Sequence, residues 1–135
     1  MNIWVNGCFD ILHSGHVILL EKARSQGDVL VLGINTDESV KRLKGEKRPI
    51  NNQNERARVL AGLEAIDYVT FFSEDTPAEI IKEIQPDILV KGGDYSIDEI
   101  VGRETVEKGG GQVIVVPLIA GRSTSSTIDR VKQKY

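Results

Sequence analysis

Short apolar runs along the chain alternate with longer stretches whose apolar residues recur every three or four positions. The first run is Ile3-Trp4-Val5, and Val17, Leu20, Ala23 and Arg24 follow it at helical spacing until Gly27 closes the segment. Asp28 to Ile34 is nearly continuous in apolar character, which predicts a strand buried on both faces, as in a parallel sheet. Asn35 to Ser39 is a polar strand end leading into a short helix with capping chemistry. Asn51 or Asn52 can cap the next helix, in which Arg56, Val59, Leu60 and Leu63 share a face, and Ile66 to Phe72 reads as a third strand. Thr76-Pro77 opens a helix with Ile80, Ile81 and Ile84 inward, and Pro86 ends it. Asp87 to Lys91 is a fourth strand, turned sharply by Gly92-Gly93-Asp94-Tyr95. A helical passage from Ile97 to Lys108, a glycine turn at Gly109-Gly110-Gly111, a last strand from Gln112 to Val116 and a closing helix from Ser123 complete the chain.

This alternation, without internal repeats, predicts one α/β domain over residues 1–135: a doubly wound, parallel, five-stranded sheet with right-handed connections. A length of 135 residues suits one compact domain with a single core. The formal net charge of −3 gives no electrostatic argument for nucleic acid as a partner. Absence of a membrane-length apolar run argues against a membrane partner. A lone cysteine excludes an internal disulfide and fits a reducing compartment, so a cytoplasmic location is expected. The start at Met1 runs almost directly into the first strand, with no signal-peptide pattern and little room for an N-terminal extension.

In a sheet of this kind, ligands bind beyond the carboxyl ends of the strands, near the switch in strand order. Four segments meet there: Phe9 to His16, Asp37 to Lys44, Lys91 to Asp94, and Gly121 to Ser126. The first carries the most chemistry. His13 and His16, three apart in the first turn of a helix, project from the same side. Gly15 between them lets a ligand approach the backbone, and the N–H groups of that turn favour an anion. Zinc is a poor alternative, because these are the only two histidines and Cys8 is the only cysteine. Cys8 itself reads as a small packing residue without a basic partner. Neither a Gly-x-Gly-x-x-Gly run nor a phosphate-loop Gly-Lys-Ser/Thr signature is present, which argues against hydride transfer and ordinary kinase chemistry.

Two further segments suit phosphate. Lys41 to Pro49 holds five cations in nine residues and reads as a loop between Gly45 and Pro49 punctuation, from which Lys44, with Lys41 and Arg48, can clamp a phosphate. Ser123, Thr124 and Ser125 offer hydroxyls and helix-start amides to the outer phosphates of a triphosphate.

The run Gly7-Cys8-Phe9-Asp10 followed by His13-Ser14-Gly15-His16 resembles the signature of the cytidylyltransferase-like nucleotidyltransferases, and Arg122 to Ser126 resembles their second motif. The resemblance extends essentially end to end and implies a Rossmann-like fold. Within the family, Lys41-Arg42-Leu43-Lys44-Gly45, Leu63 to Asp67, Glu74 to Pro77 and Leu89 to Tyr95 are similar to the branch that makes ADP-heptose from heptose 1-phosphate. Glu64-Ala65-Ile66-Asp67 and Leu118-Ile119-Ala120-Gly121 depart from the branch that uses CTP and glycerol 3-phosphate.

The resemblance implies catalytic roles for His13, His16 and Lys44. It implies nucleotide contacts from Gly7, Cys8, Phe9, Asp10, Gly15, Lys91, Gly92, Asp94, Gly121, Ser123, Thr124 and Ser125. It implies sugar-phosphate contacts from Asp37, Lys41, Lys44, Arg48 and Arg56. Magnesium is expected as the companion of the triphosphate, with no metal site on the protein. A homodimer through Leu63 to Asp67 is a further implication, and Tyr95 with Leu118, Ile119 and Ala120 borders the expected base pocket. Three readings stand at this point: ATP with heptose 1-phosphate, CTP with a polyol phosphate, or a nucleotide-binding module without turnover.

Overall fold

A computed structural model describes residues 1–93, 95–117 and 123–135. Five strands, β1 (Asn2–Gly7), β2 (Val29–Asn35), β3 (Tyr68–Phe72), β4 (Ile88–Gly92) and β5 (Gln112–Val116), form one parallel sheet in the order β3-β2-β1-β4-β5. The chain therefore works outward from β1 to one edge, then returns to place β4 on the other side of β1. That reversal leaves a crevice above the carboxyl ends of β1 and β4.

Six helices connect and flank the strands: α1 (Ser14–Arg24), α2 (Asp37–Lys44), α3 (Gln53–Ala61), α4 (Ala78–Ile84), α5 (Arg103–Lys108) and α6 (Thr124–Lys134). The two-residue period of the strands divides the core between the faces. Ile3, Val5, Leu30, Leu32, Ile88 and Val90 pack with Leu19 and Leu20 of α1 and Leu60 of α3. Trp4, Leu89 and partly buried Val31 point the other way, against Ile81 of α4 and Val106 of α5. Trp4 is fully buried, and its indole Nε1–H donates to Asn6 Oδ1 at 2.9 Å.

Local details differ from the sequence reading in three places. α3 ends at Ala61, so Leu63 lies beyond it, and Val59 is exposed rather than sharing the buried face of Arg56 and Leu60. Lys41 to Lys44 are the last residues of α2 rather than loop, because Thr36 caps the helix and Val40 seats it on the core. The passage from Ile97 to Lys108 is divided into a 3-10 turn, Ile97–Glu99, and α5. Gly102 makes the break with φ of +90°, a conformation in which a side chain would also strike Ile81. The last strand and the start of the closing helix lie where the pattern placed them, with Ser123 capping α6.

Candidate active site

His13 and His16 form the centre of the site at the junction of β1 and α1. His13 is the N-cap of α1, and its Nδ1 accepts from the Gly15 N–H at 3.1 Å. His16 Nδ1 accepts in turn from the His13 backbone N–H at 3.3 Å. The reciprocal cap stacks the two imidazoles, with ring centroids 3.7 Å apart and planes inclined by 27°. Because each Nδ1 is an acceptor, the proton of each neutral ring sits on Nε2. Burial, reinforced by the neighbouring His13, lowers the His16 pKa to about 4, so this ring is neutral near pH 7.

Phe9 sets the rings in place. It is buried with φ of +48°, a left-handed conformation that costs about 1–2 kcal/mol for a residue with a side chain. Its ring lies 5.0 Å from that of His16, and a Cβ at Gly7 would come within 2.8 Å of it. Gly7 thus makes room for the aromatic ring that backs the histidine. Gly7, Phe9 and Gly15 all line the cleft.

The histidines open into a cleft of about 670 Å³, a volume within the range of small-molecule sites. Lys44 from the end of α2, Arg48, Lys91 from β4, and Ser123, Thr124 and Ser125 at the start of α6 share its lining. Thr124 Oγ1 donates to the Ile11 carbonyl at 3.1 Å, tying α6 to the segment before α1. Two helix starts therefore face one space that also holds three cations, an arrangement suited to a polyphosphate. Neither Lys44 nor Lys91 forms an ion pair among the described residues. Lys91 Nζ lies 5.1 Å from the centroid of the Tyr95 ring, and burial lowers its pKa, with Lys44 adding to the effect against an opposing contribution from Cys8.

Several expected ligands have other work. Arg56 has a fully buried side chain whose Nη1 donates to the carbonyls of Cys8 and Asn35, each at 2.8 Å, and whose Nη2 pairs with Asp37 at 2.8 Å. Its Nε donates to the Asn51 carbonyl at 3.0 Å, so the guanidinium is occupied by three backbone carbonyls and Asp37, and Arg56 is not among the cleft-lining residues. Asp37 is that ion pair's other half and, like Lys41 and Gly92, is not among the cleft-lining residues. Asp10 lines the cleft, yet its carboxylate is buried and accepts from Arg48 Nε at 2.9 Å, Ile50 N at 2.8 Å and Asn51 N at 2.9 Å. Burial alone would raise its pKa; the Asn51 and Ile50 amides and Arg48 outweigh it and hold the group below the ordinary value. Asp10 is thus a clip for the 45–52 loop rather than a nucleotide ligand.

Cys8 lines the cleft with Sγ 3.7 Å from Asn35 Oδ1. Lys44, Arg56 and Arg48 do act on it, contrary to the expectation of no basic neighbour, but burial has the larger effect and raises the thiol pKa. Asp94 and Gly121, with Leu118, Ile119 and Ala120 of the expected base pocket, lie outside the described residues. Sequence reasoning missed the wall made by Thr76, Pro77, Glu99 and Val101. These follow the carboxyl ends of β3 and β4, so the rule that located the other segments also applied to them. Among the described residues no group of three or more His, Cys, Asp or Glu is arranged to hold a metal ion, and no helix is long and apolar enough to cross a membrane.

The model of the cytidylyltransferase-like family matches residues 4–131. The chain belongs to that family. A bifunctional protein HldE of Citrifermentans bemidjiense is 57% identical over 133 residues, covering 98% of this chain and 27% of the relative. That of Mesorhizobium japonicum is 57% identical over 129 residues, covering 96% and 26%. The chain thus spans about a quarter of the length of the curated relatives it matches. Among solved structures, the lipopolysaccharide core biosynthesis protein from Thermoplasma volcanium is 30% identical with a TM-score of 0.71, covering 88% of this chain and 96% of the other. A pantoate-beta-alanine ligase from Francisella tularensis, 17% identical with a TM-score of 0.62 and coverage of 96% and 64%, shares the fold. The family membership makes the chain a nucleotidyltransferase and agrees with the Rossmann-like sheet.

Proposed function

We propose that this nucleotidyltransferase transfers AMP from ATP to heptose 1-phosphate, giving ADP-heptose and pyrophosphate. The carrying observation is the stacked His13–His16 pair, set in one cleft with two helix starts and the cations Lys44 and Lys91. An oxygen of the acceptor phosphate attacks the α-phosphorus in line. The new O–P bond forms as the bond to the pyrophosphate oxygen breaks, and pyrophosphate takes the electron pair. The acceptor oxygen is already ionised, so no general base is required. Alignment and neutralisation of charge are what remain for the protein.

The Nε2–H groups of His13 and His16 donate to the α-phosphoryl and to the departing oxygen. His16 donates as a neutral ring, with no proton transferred to the phosphate. Lys44 and Lys91 balance phosphate charge, and the α6 amides with the Ser123 and Thr124 hydroxyls receive the outer phosphates. ATP enters as its magnesium complex, with phosphate oxygens as the ion's ligands.

ATP is favoured over CTP by the aliphatic Leu118-Ile119-Ala120 sequence, which offers packing for adenine and lacks fixed polar side chains for cytosine. The heptose acceptor is supported by the similarity to the ADP-heptose branch. A two-fold homodimer belongs to the same proposal: edge strand β3 exposes Tyr68 and Phe71, and α3 exposes Val59 nearby in the chain order. Direct competition of ATP and CTP at saturating heptose 1-phosphate tests the reaction. The expected outcome is pyrophosphate release with kcat/KM for ATP at least about tenfold above that for CTP. Preferential formation of the CDP-sugar overturns the nucleotide assignment; absence of pyrophosphate release with either nucleotide overturns catalysis.

A further inference from the structure

Three described carboxylates line the cleft, from Asp10, Asp75 and Glu99. Asp10 is consumed by Arg48 and two backbone amides. Asp75 pairs with Arg42 at 2.9 Å. Glu99 is different: its neighbour Asp98 pairs with Arg103, as does Glu107, while the exposed Glu99 carboxylate has no ion pair or hydrogen bond among the described residues. A cleft furnished with two histidines, Lys44, Arg48 and Lys91 attracts phosphate, and an unneutralised carboxylate beside a triphosphate would oppose it.

The location resolves the conflict. Glu99 precedes Ile100, which is buried in the Trp4 cluster with Ile81 and Val106. The histidines belong to α1, whose Leu19 and Leu20 pack on the opposite face of the sheet. The segment that carries Glu99 and the helix that carries the histidines therefore pack on opposite faces of the sheet. Thr76, Pro77, Ile100 and Val101 line the same cleft, and Thr76-Pro77 lead into α4, whose Ile81 packs in one cluster with Ile100. Carboxylate, hydroxyl and apolar wall together match a sugar ring, whose hydroxyls donate and whose C–H face packs.

We propose that Glu99 is a specificity-determining residue that accepts hydrogen bonds from hydroxyls of the acceptor sugar. The assignment rests on the reaction class proposed above and extends it to the acceptor end of the cleft. A nucleotide ribose offers the same diol chemistry, and the experiment separates the two sources. Steady-state kinetics of the full chain are measured for Glu99→Gln, Glu99→Asp and, as a control away from the cleft, Asp98→Asn. Near-ultraviolet circular dichroism checks folding of each variant. For Glu99→Gln the acceptor KM rises about tenfold, as expected for loss of hydrogen bonds to a charged group, while kcat and the ATP KM stay within about twofold. Glu99→Asp recovers part of the loss, and a deoxy acceptor analogue shows a smaller difference between the wild type and Glu99→Gln. An unchanged acceptor KM overturns the inference, and so does a rise confined to the ATP KM, which would assign the carboxylate to the ribose. If the wild type turns over glycerol 3-phosphate and not heptose 1-phosphate, the heptose reading falls, and the same comparison on that acceptor still decides the role of Glu99.

Discussion

Replacing Asp10 with Asn separates a loop clip from a nucleotide ligand. The residue is 3% exposed and its carboxylate gathers three donors from residues about forty positions away: Arg48, Ile50 and Asn51. Asparagine keeps the shape but has one acceptor oxygen, and its NH2 group meets a donor. At least one donor, Arg48 Nε or the Asn51 N–H according to which way the amide faces, is left unsatisfied, costing about 1–3 kcal/mol. Loss of the charge also strands Arg48; removing one member of a buried pair costs about 3–5 kcal/mol, and the 17% exposure of Arg48 puts this site toward the lower end. The two effects overlap, so a destabilisation of roughly 3 kcal/mol is expected. Urea unfolding at pH 7, followed through the fluorescence of the single, buried Trp4, measures it. Catalysis should weaken as well, because the clip holds the loop that carries Arg48 into the cleft. The folded-state pKa of Asp10 lies below its ordinary 3.8, so its contribution is fully present above pH 3.8 and is lost as pH falls through the folded value. The gap between wild type and Asp10→Asn should therefore close in acid. Unchanged stability with a raised ATP KM would refute the clip and restore Asp10 as a nucleotide ligand.

Lys44→Ala should lower kcat/KM by about tenfold or more, whereas Lys47→Ala, exposed and outside the cleft lining, should have little effect; equal small losses would mean that Lys44 does not meet substrate. His16 has a folded pKa of about 4 against 6.5 for the free group, so acid favours the unfolded state, beginning below pH 6.5 and complete below about pH 4. Correctly folded His16→Gln should accordingly lose less stability than wild type between pH 7 and pH 4.5 in urea titrations, and its kcat should fall about a hundredfold at pH 7. Sedimentation equilibrium at micromolar concentration should report a dimer; a monomer there removes the proposed pairing.

The alternation of apolar positions was sufficient for the element types, because strand and helix periods are local properties. Gln112 to Val116 reads as a strand with no knowledge of its partner, and it is β5. Ile3 and Val5 fall on one face and Trp4 on the other for the same reason. The His13–His16 pair was equally legible, since a first helical turn brings positions three apart together whatever surrounds it. Strand order was different. Placing β4 beside β1 depends on packing across more than eighty residues, and that placement brings Lys91 into the cleft with the histidines.

Charged residues show the same division most plainly. Arg56 and Lys44 are both cations next to apolar helix positions in the sequence. Tertiary structure buries the first among the carbonyls of Cys8, Asn35 and Asn51 and leaves the second at the cleft. Asp10 appears in the sequence within the run that resembles the family signature, but its partners Ile50 and Asn51 are supplied by a distant loop. The sequence determined which groups were available for chemistry; only the three-dimensional arrangement decided which were already occupied, because hydrogen-bond partners and desolvation are set by contacts remote along the chain.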